Sequence, residues 1–445
     1  MSRRSLRIAT TRQLFNSVRA AGFDAYLLPE AINVDFNRSL DQRLADGAVY
    51  EPFLEENQID LILDHNTGAL TLRPLPDTPG EVALTSAKLG IPHVACYLDP
   101  VTSTMAQVRW EDHWQLLEHQ GWIKWIWESA HSEELSRLGV ANVLTLPMAA
   151  ADQEFPDGPA RNPQPSPVIA FMGHPASSWF AKGPPVKPSQ LYAGLLAAAV
   201  RMDMPDLPFH KIYFDLYELG DPPLASDDPP TRAAKSSRYF ADKFAYNAFL
   251  ALQQRDRWVR FLKVKLKDQF ELIGDHWGDT YRLEHTPRIW DMKVLHERMR
   301  DVPICLNLIK GNVETGLIIR HFEVTSHGGF LLTYPTEELE QCFEIGKECE
   351  VFHSEADLLD KIRFYTEHPK ERHEIAAAGQ RRTLSEHLYS HRITRLVEVL
   401  REAGALPATS ATPAKCADGD APPADAAPSP DPLQPMVTAQ GGETS

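Results

Sequence analysis

The sequence predicts a doubly wound α/β fold in two successive domains, and three observations predict it. Short apolar runs bounded by polar or turn residues recur along the chain, as buried parallel strands require. Amphipathic stretches that close on glycine lie between them. A proline-rich stretch, residues 152–167, divides this pattern into two halves and reads as an interdomain linker.

The first half, residues 1–151, supplies the strand candidates Ile59 to Asp64, Ile91 to Leu98, Trp122 to Trp127 and Asn142 to Pro147. Between them, EVALTSAKLG ends on Gly90 and SAHSEELSRLG on Gly139, each with glycine where a helix C-cap wants it. Strand and helix in alternation predict a doubly wound α/β domain. After the linker the pattern restarts with PVIAFMG, Pro167 to Gly173, followed by a long helical region from Pro188 to Lys267. Four more strand candidates follow in ELIGDHWG, VPICLNLI, GFLLTY and ECEVF, so residues 168–402 form a second α/β domain. A last amphipathic stretch runs from Ser385 to Leu400. Residues 403–445 are almost entirely Ala, Pro, Ser, Thr, Asp and Gly and read as a disordered tail.

Composition narrows the function. At 445 residues the chain is long enough for a sizeable core in each half. Its formal charge of −16 argues against a nucleic-acid backbone as the main partner, while leaving room for a local basic pocket. The 5 cysteines are scattered and form no CxxC pair, which suits a reducing compartment. The first 22 residues carry positive charge without an apolar run, and no stretch approaches the ~18 apolar residues of a membrane helix. The expectation is a cytoplasmic protein without integral membrane association, peripheral contact with a membrane remaining open.

The most informative segment is RHFEVTSHGGFLLT, followed by EELEQCFEIGKECEVFHSEADLLDKIRFYTEHPKERHEIAAAGQRR. It resembles the carboxyl-terminal domain of the CgeB-like (spore maturation protein B type) glycosyltransferases, whose motif is approximately RxFExxxxGGFLLT. More loosely, IPHVACYLDP and WESAHSEELSRLGVANVLTLPMAAD resemble the amino-terminal domain of that family. The resemblance implies a GT-B fold, two Rossmann-like domains facing across a cleft, the second binding a nucleotide-sugar donor and the first a glycan, lipid-linked or protein acceptor. It implies sugar transfer to a hydroxyl, with the nucleotide-sugar as a substrate and no cofactor, and a terminal helix, here Ser385 to Leu400, that crosses back onto the first domain.

Physical chemistry gives several residues a donor-side role. The loop Lys310 to Gly316 before a helix start offers unpaired N–H groups and a positive dipole end, suited to a diphosphate. Glu323 on that helix can accept hydrogen bonds from both ribose hydroxyls, the role the resembling family implies for the matching glutamate. Arg320 shares the face of Glu323, where phosphate contact and an ion pair with Glu323 are both open. Glu314 precedes Glu323 by nine positions, against eight in the two-glutamate signature of many retaining GT-B enzymes, and is a sugar-contact candidate. Gly328 and Gly329 end the helix, with C-capping and donor contact as their two readings. Gly173 and His174 follow a buried strand at the donor side of the cleft, where the glycine allows close approach and His174 can donate to diphosphate or sugar, or serve structurally. GDHW, Gly274 to Trp277, occupies the corresponding end of the next strand.

Inverting transfer needs a base on the acceptor side. Asp64 with His65, and Asp99, follow strand ends that face the cleft, and each Asp has turn-capping as its structural alternative. Glu128 is a lesser candidate. No metal-ligand spacing is visible, so leaving-group charge is expected to meet cationic side chains and a helix dipole. Two other readings keep the same architecture: a non-catalytic nucleotide-sugar-binding protein, and a nucleotide-sugar epimerase.

Overall fold

A computed structural model describes residues 5–29, 40–66, 69–74, 82–101, 117–160, 167–180, 187–224 and 226–407. In chain order the first half forms β1 (Arg7–Thr10), β2 (Asp24–Leu27), β3 (Leu61–His65), β4 (Leu72–Pro74), β5 (Val82–Leu84), β6 (His93–Cys96), β7 (Ile123–Ile126) and β8 (Val143–Thr145). Six of these make a sheet in the order β2-β1-β3-β6-β7-β8, every pair parallel, while β4 and β5 form a small antiparallel pair. The second half forms β9 (Ile169–Met172), β10 (Phe270–Ile273), β11 (Ile304–Asn307), β12 (Leu331–Thr333) and β13 (Glu350–Val351). Their sheet, β10-β9-β11-β12-β13, is also parallel throughout. Both sheets reverse direction beside their first strand, and an open parallel sheet binds ligands at the carboxyl side of such a switch point. This is the two-domain, GT-B type α/β architecture that the resemblance implied.

The strands follow the predicted apolar runs because both faces of each sheet are covered. On the first sheet, Ala95, Tyr97 and Ile126 pack with Phe209, Tyr213, Tyr239 and Tyr246. Val94, Cys96 and Trp125, which alternate with them along β6 and β7, pack on the other face with Tyr389, Ile393 and Leu396. The helix Tyr389–Glu402 therefore lies on the first sheet.

Three details depart from the sequence expectations. The helices Pro188–Asp203 and Pro229–Ala251, assigned with the second domain by chain position, cover a face of the first sheet. Their aromatic side chains complete that core, and Lys243 and Tyr239 reach Glu134 on the helix Ser129–Arg137. EVALTSAKLG is helical only over Thr85–Lys88, because Val82–Leu84 is drawn into a ladder with β4. The chain also stays packed past residue 403, since Leu406 is buried among the residues of the last helix. Residues 408–445, and the 161–166 part of the expected linker, lie outside the described residues. The described part, Asp152 to Ala160, is docked: Asp152 Oδ2 accepts from Ser390 N–H, and Pro156 O from the Gln380 amide.

Candidate active site

The carboxyl ends of the two sheets converge on a cavity of about 360 Å³. Leu98, Asp99, Trp127 and Met148 line it from the first domain, after β6, β7 and β8. Met172 at the end of β9 with Gly173 and His174 after it, His276 after β10, and Asn307 at the end of β11 with Lys310 after it line it from the second. Arg255 and Arg320 complete its polar wall.

Among the described residues, three cations thus line the cavity with a single carboxylate, Asp99, in a chain whose net charge is −16. Arg255 sits on a π-helical turn, Leu252–Asp256, a distortion frequent at functional sites. Its Nε and Nη2 donate to Leu308 O at 3.1 and 2.6 Å. Burial pushes the guanidinium down to about 10, so it remains charged at neutral pH. Its neighbour Asp256 accepts from the N–H groups of Ala176 and Ser177 at 2.7 and 3.1 Å, which fixes the loop after β9. Burial lowers the Lys310 ammonium, as does Arg255, while Asp99 opposes both. Arg320 pairs with Glu323 at 3.0 Å.

Ile318, Ile319 and Arg320 bring the start of the helix Ile319–Ser326 to the cavity wall, and no side chain caps that start. Its first N–H groups and dipole end favour an anion there. Behind it, Asn307 Nδ2 donates to Thr333 Oγ1 at 3.2 Å and contacts the His321 ring at 3.0 Å. Burial drives His321 down to about 4, so it is neutral.

Of the residues singled out from the sequence, Gly173, His174, Arg320 and Asp99 meet at this cavity, with Glu323 behind Arg320 on the same helix. His174 Nδ1 lies 2.9 Å from Asp275 N. Gly173 O accepts from Trp277 Nε1 at 2.7 Å, and a Cβ on Gly274 would lie 2.2 Å from the same oxygen. Only glycine fits at 274. His276, at φ +69°, is a left-handed residue without that excuse, a local strain typical of functional loops.

The other candidates are placed elsewhere. Asp64 is 1% exposed, and its oxygens accept from His65 N–H at 2.6 Å and Ala69 N–H at 2.7 Å. It caps its own turn, which corrects the reading of Asp64 as a base. His65 is held down by burial, with Asp64 and Asp99 pulling the other way, and does not line the cavity. Gly328 has φ +76° and abuts Pro159 in a separate groove with Arg300 and Arg372, while Gly329 abuts Met299 O, so both serve the turn into β12.

Glu314 is withdrawn from the cleft into a buried interdomain network. Its Oε2 accepts from Phe209 N–H at 2.8 Å, and its Oε1 lies 2.9 Å from Lys243 Nζ. Burial raises the Glu314 carboxyl, but Lys243 and His131 overcome this and hold it below the ordinary range. Glu128 stands at the centre of that network: Oε2 accepts from the N–H groups of Glu314, Thr315 and Gly316, each at 2.9 Å, and Oε1 meets His131 Nδ1 at 2.6 Å. The loop amides expected to cradle a diphosphate are therefore already occupied at 314–316. Arg255 escaped the sequence reading because nothing local distinguishes it from other basic residues of a long helical region.

The sequence model of a family described as "Glycosyl transferase-like" matches residues 254–398. This segment is glycosyltransferase-like. It contains Arg255, Lys310, Arg320 and Glu323, so the cationic wall of the cavity belongs to the glycosyltransferase-like part of the chain. Among solved structures, the sucrose-phosphate synthase of Thermosynechococcus elongatus is similar over 90% of this chain and 100% of that one, at 12% identity and a TM-score of 0.45. HepE of Anabaena, solved with UDP and glucose, is similar over 90% and 100% at 10% identity and a TM-score of 0.44. A glycosyltransferase from Rickettsia africae is similar over 90% and 99% at 8% identity and a TM-score of 0.41. No curated protein matches the chain by sequence. Among the described residues, no helix is long and apolar enough to cross a membrane, and no group of three His, Cys, Asp or Glu is placed to hold a metal ion.

Proposed function

We propose that the chain is a CgeB-like glycosyltransferase that moves a hexosyl or related unit from a nucleotide-sugar to a hydroxyl of a glycan, lipid-linked or protein acceptor. The observation that carries this reading is the concentration of Arg255, Lys310 and Arg320 around an uncapped helix start, at the switch point of the glycosyltransferase-like domain. Such a wall neutralises a diphosphate in the ground state and gains more as the leaving group takes up charge. Glu323, one turn into the same helix, is the ribose anchor in this reading. Asp99, exposed on the facing domain, is the base that takes the acceptor proton if transfer is inverting.

Thermal-shift screening of UDP-, GDP-, ADP- and TDP-sugars tests the proposal. A donor at 100 times its Kd stabilises a protein by about 2.7 kcal/mol, so one nucleotide class should raise Tm clearly, and Lys310→Ala should abolish the shift. A flat response across the whole panel rejects the reading.

A further inference from the structure

His174 is bound to the loop after β10 through one ring nitrogen. Asp275 N lies 2.9 Å from His174 Nδ1, and Asp275 O lies 3.3 Å from the same atom. A backbone N–H only donates, so at the shorter contact Nδ1 is an acceptor and carries no hydrogen. In the neutral ring the hydrogen is then on Nε2. That atom makes no hydrogen bond to a described residue, and the ring lines the cleft cavity.

The charged and titratable groups around the ring come from three elements. Asp275 and His276, whose ring centroid is 6.0 Å away, belong to the loop after β10, and Arg288 follows in the segment that returns beside it. Arg255 Nη1 reaches His174 O at 3.5 Å from the π-helical turn. Burial lowers the His174 pKa most, Arg288 and His276 add to this, and Asp275 opposes it. The neutral ring is the resting form at neutral pH.

We propose that His174 is a leaving-group donor, its Nε2–H meeting a diphosphate oxygen in the cleft, and that it is not the base of the reaction. The inference rests on the glycosyl-transfer reading. In the step itself the acceptor oxygen forms the bond to the anomeric carbon. The bond from that carbon to the diphosphate breaks, its electron pair staying on the diphosphate, and the acceptor proton passes to the base. His174 keeps its proton throughout and lends a hydrogen bond that strengthens as charge develops. A base needs a lone pair turned to the acceptor, and here one nitrogen is committed to Asp275 while the other bears hydrogen.

Two measurements on the full chain test this. Long-range proton–nitrogen spectra of His-labelled protein, with His174 assigned from the His174→Gln difference, should show Nδ1 bare and Nε2 protonated; the reverse pattern overturns the proposal. Calorimetric titration with UDP, GDP, ADP and TDP should show His174→Ala binding the preferred diphosphate about ten- to a hundredfold more weakly. His174→Gln, whose amide supplies an N–H, should recover most of that loss. Equal affinity in wild type and a folded His174→Ala protein sinks the donor role alone. Absence of any diphosphate binding by wild type sinks the glycosyl-transfer reading and this inference with it.

Discussion

Glu128 and Gly316 join the two domains: Gly316 N–H donates to Glu128 Oε2 at 2.9 Å, and a Cβ on Gly316 would lie 2.5 Å from Glu128 Cβ. The glycine is what lets the carboxylate collect three amides of the loop that carries Lys310. Glu128→Ala leaves those amides and His131 buried without their anion, a loss of about 3–5 kcal/mol. Gly316→Ala should cost about 1–3 kcal/mol by forced displacement. Denaturant unfolding measures both, and wild-type stability in Glu128→Ala would remove the carboxylate from any role in joining the domains.

The same pair makes stability depend on pH in a defined window. Burial alone raises the Glu128 carboxyl, but His131 and the Gly316 amide outweigh it and hold it below its ordinary 4.5. For His131, burial acts downward and Glu128 wins, so its folded pKa lies above the ordinary 6.5. The carboxylate's contribution is present above about 4.5 and fades as pH falls through its lowered folded value. The imidazolium's contribution is complete below about 6.5 and fades as pH rises through its raised folded value. His131→Gln should therefore flatten the alkaline limb of a Tm–pH curve, and an unchanged limb would remove His131 from the account.

Asp64 and Asp99 are separated by one pair of substitutions. Asp99→Asn should lower kcat about 100-fold, the scale of a general base, with diphosphate affinity and Tm nearly unchanged. Asp64→Asn replaces one of two acceptor oxygens in a buried turn, so it should lower Tm while the folded fraction keeps its specific activity. Wild-type activity in Asp99→Asn would reject Asp99 as the base.

Glu323 is read as the ribose anchor although it also pairs with Arg320. Glu323→Ala should weaken diphosphate binding about ten- to a hundredfold, the worth of a charge-assisted pair of hydrogen bonds. A 2′-deoxy nucleotide should lose less in the variant than in wild type. If the residue only partners Arg320, calorimetry will show unchanged affinity together with a lower Tm.

Lys124 on β7 is buried, its Nζ donating to His119 O and Trp122 O at 2.8 and 3.2 Å. Burial drives it down to about 7 from an ordinary 10.5. Between these values the unfolded chain holds a proton that the folded chain has released, so this residue makes stability rise with pH. Lys124→Met should remove this rising contribution, so its stability relative to wild type should decline as pH rises from about 7 towards 10.5; a constant difference across that window refutes the assignment.

Truncation after Pro407 should leave Tm and diphosphate binding as they are, whereas a cut at Arg381 removes Tyr389, Ile393, Leu396, Val397 and Leu400 from the core of the first domain. Each such side chain contributes ~1.5–3 kcal/mol, together a large share of the ~5–15 kcal/mol that holds a typical protein folded. Circular dichroism on heating distinguishes the two cuts.

By itself the sequence determined nine of the strands, the glycine ends at Gly90 and Gly139, and the helix that joins Arg320 to Glu323, because apolar runs, left-handed caps and i,i+3 spacing are local signals. Strands β1 and β2 did not stand out because Arg7 and Asp24 open them and β2 is a partly exposed edge strand, so neither forms a continuous apolar run. Only the tertiary structure separated the surroundings of Asp64 and Asp99, which share one local pattern: the Asp64 oxygens turn back to nearby amides in a buried turn, while Asp99 lines the cavity. It also drew Glu314 away from the site and made Glu128 its partner across 186 residues of chain. Periodicity along a chain carries no record of which distant groups a buried charge will find, and the cost of leaving such a charge unpaired is what settles the arrangement.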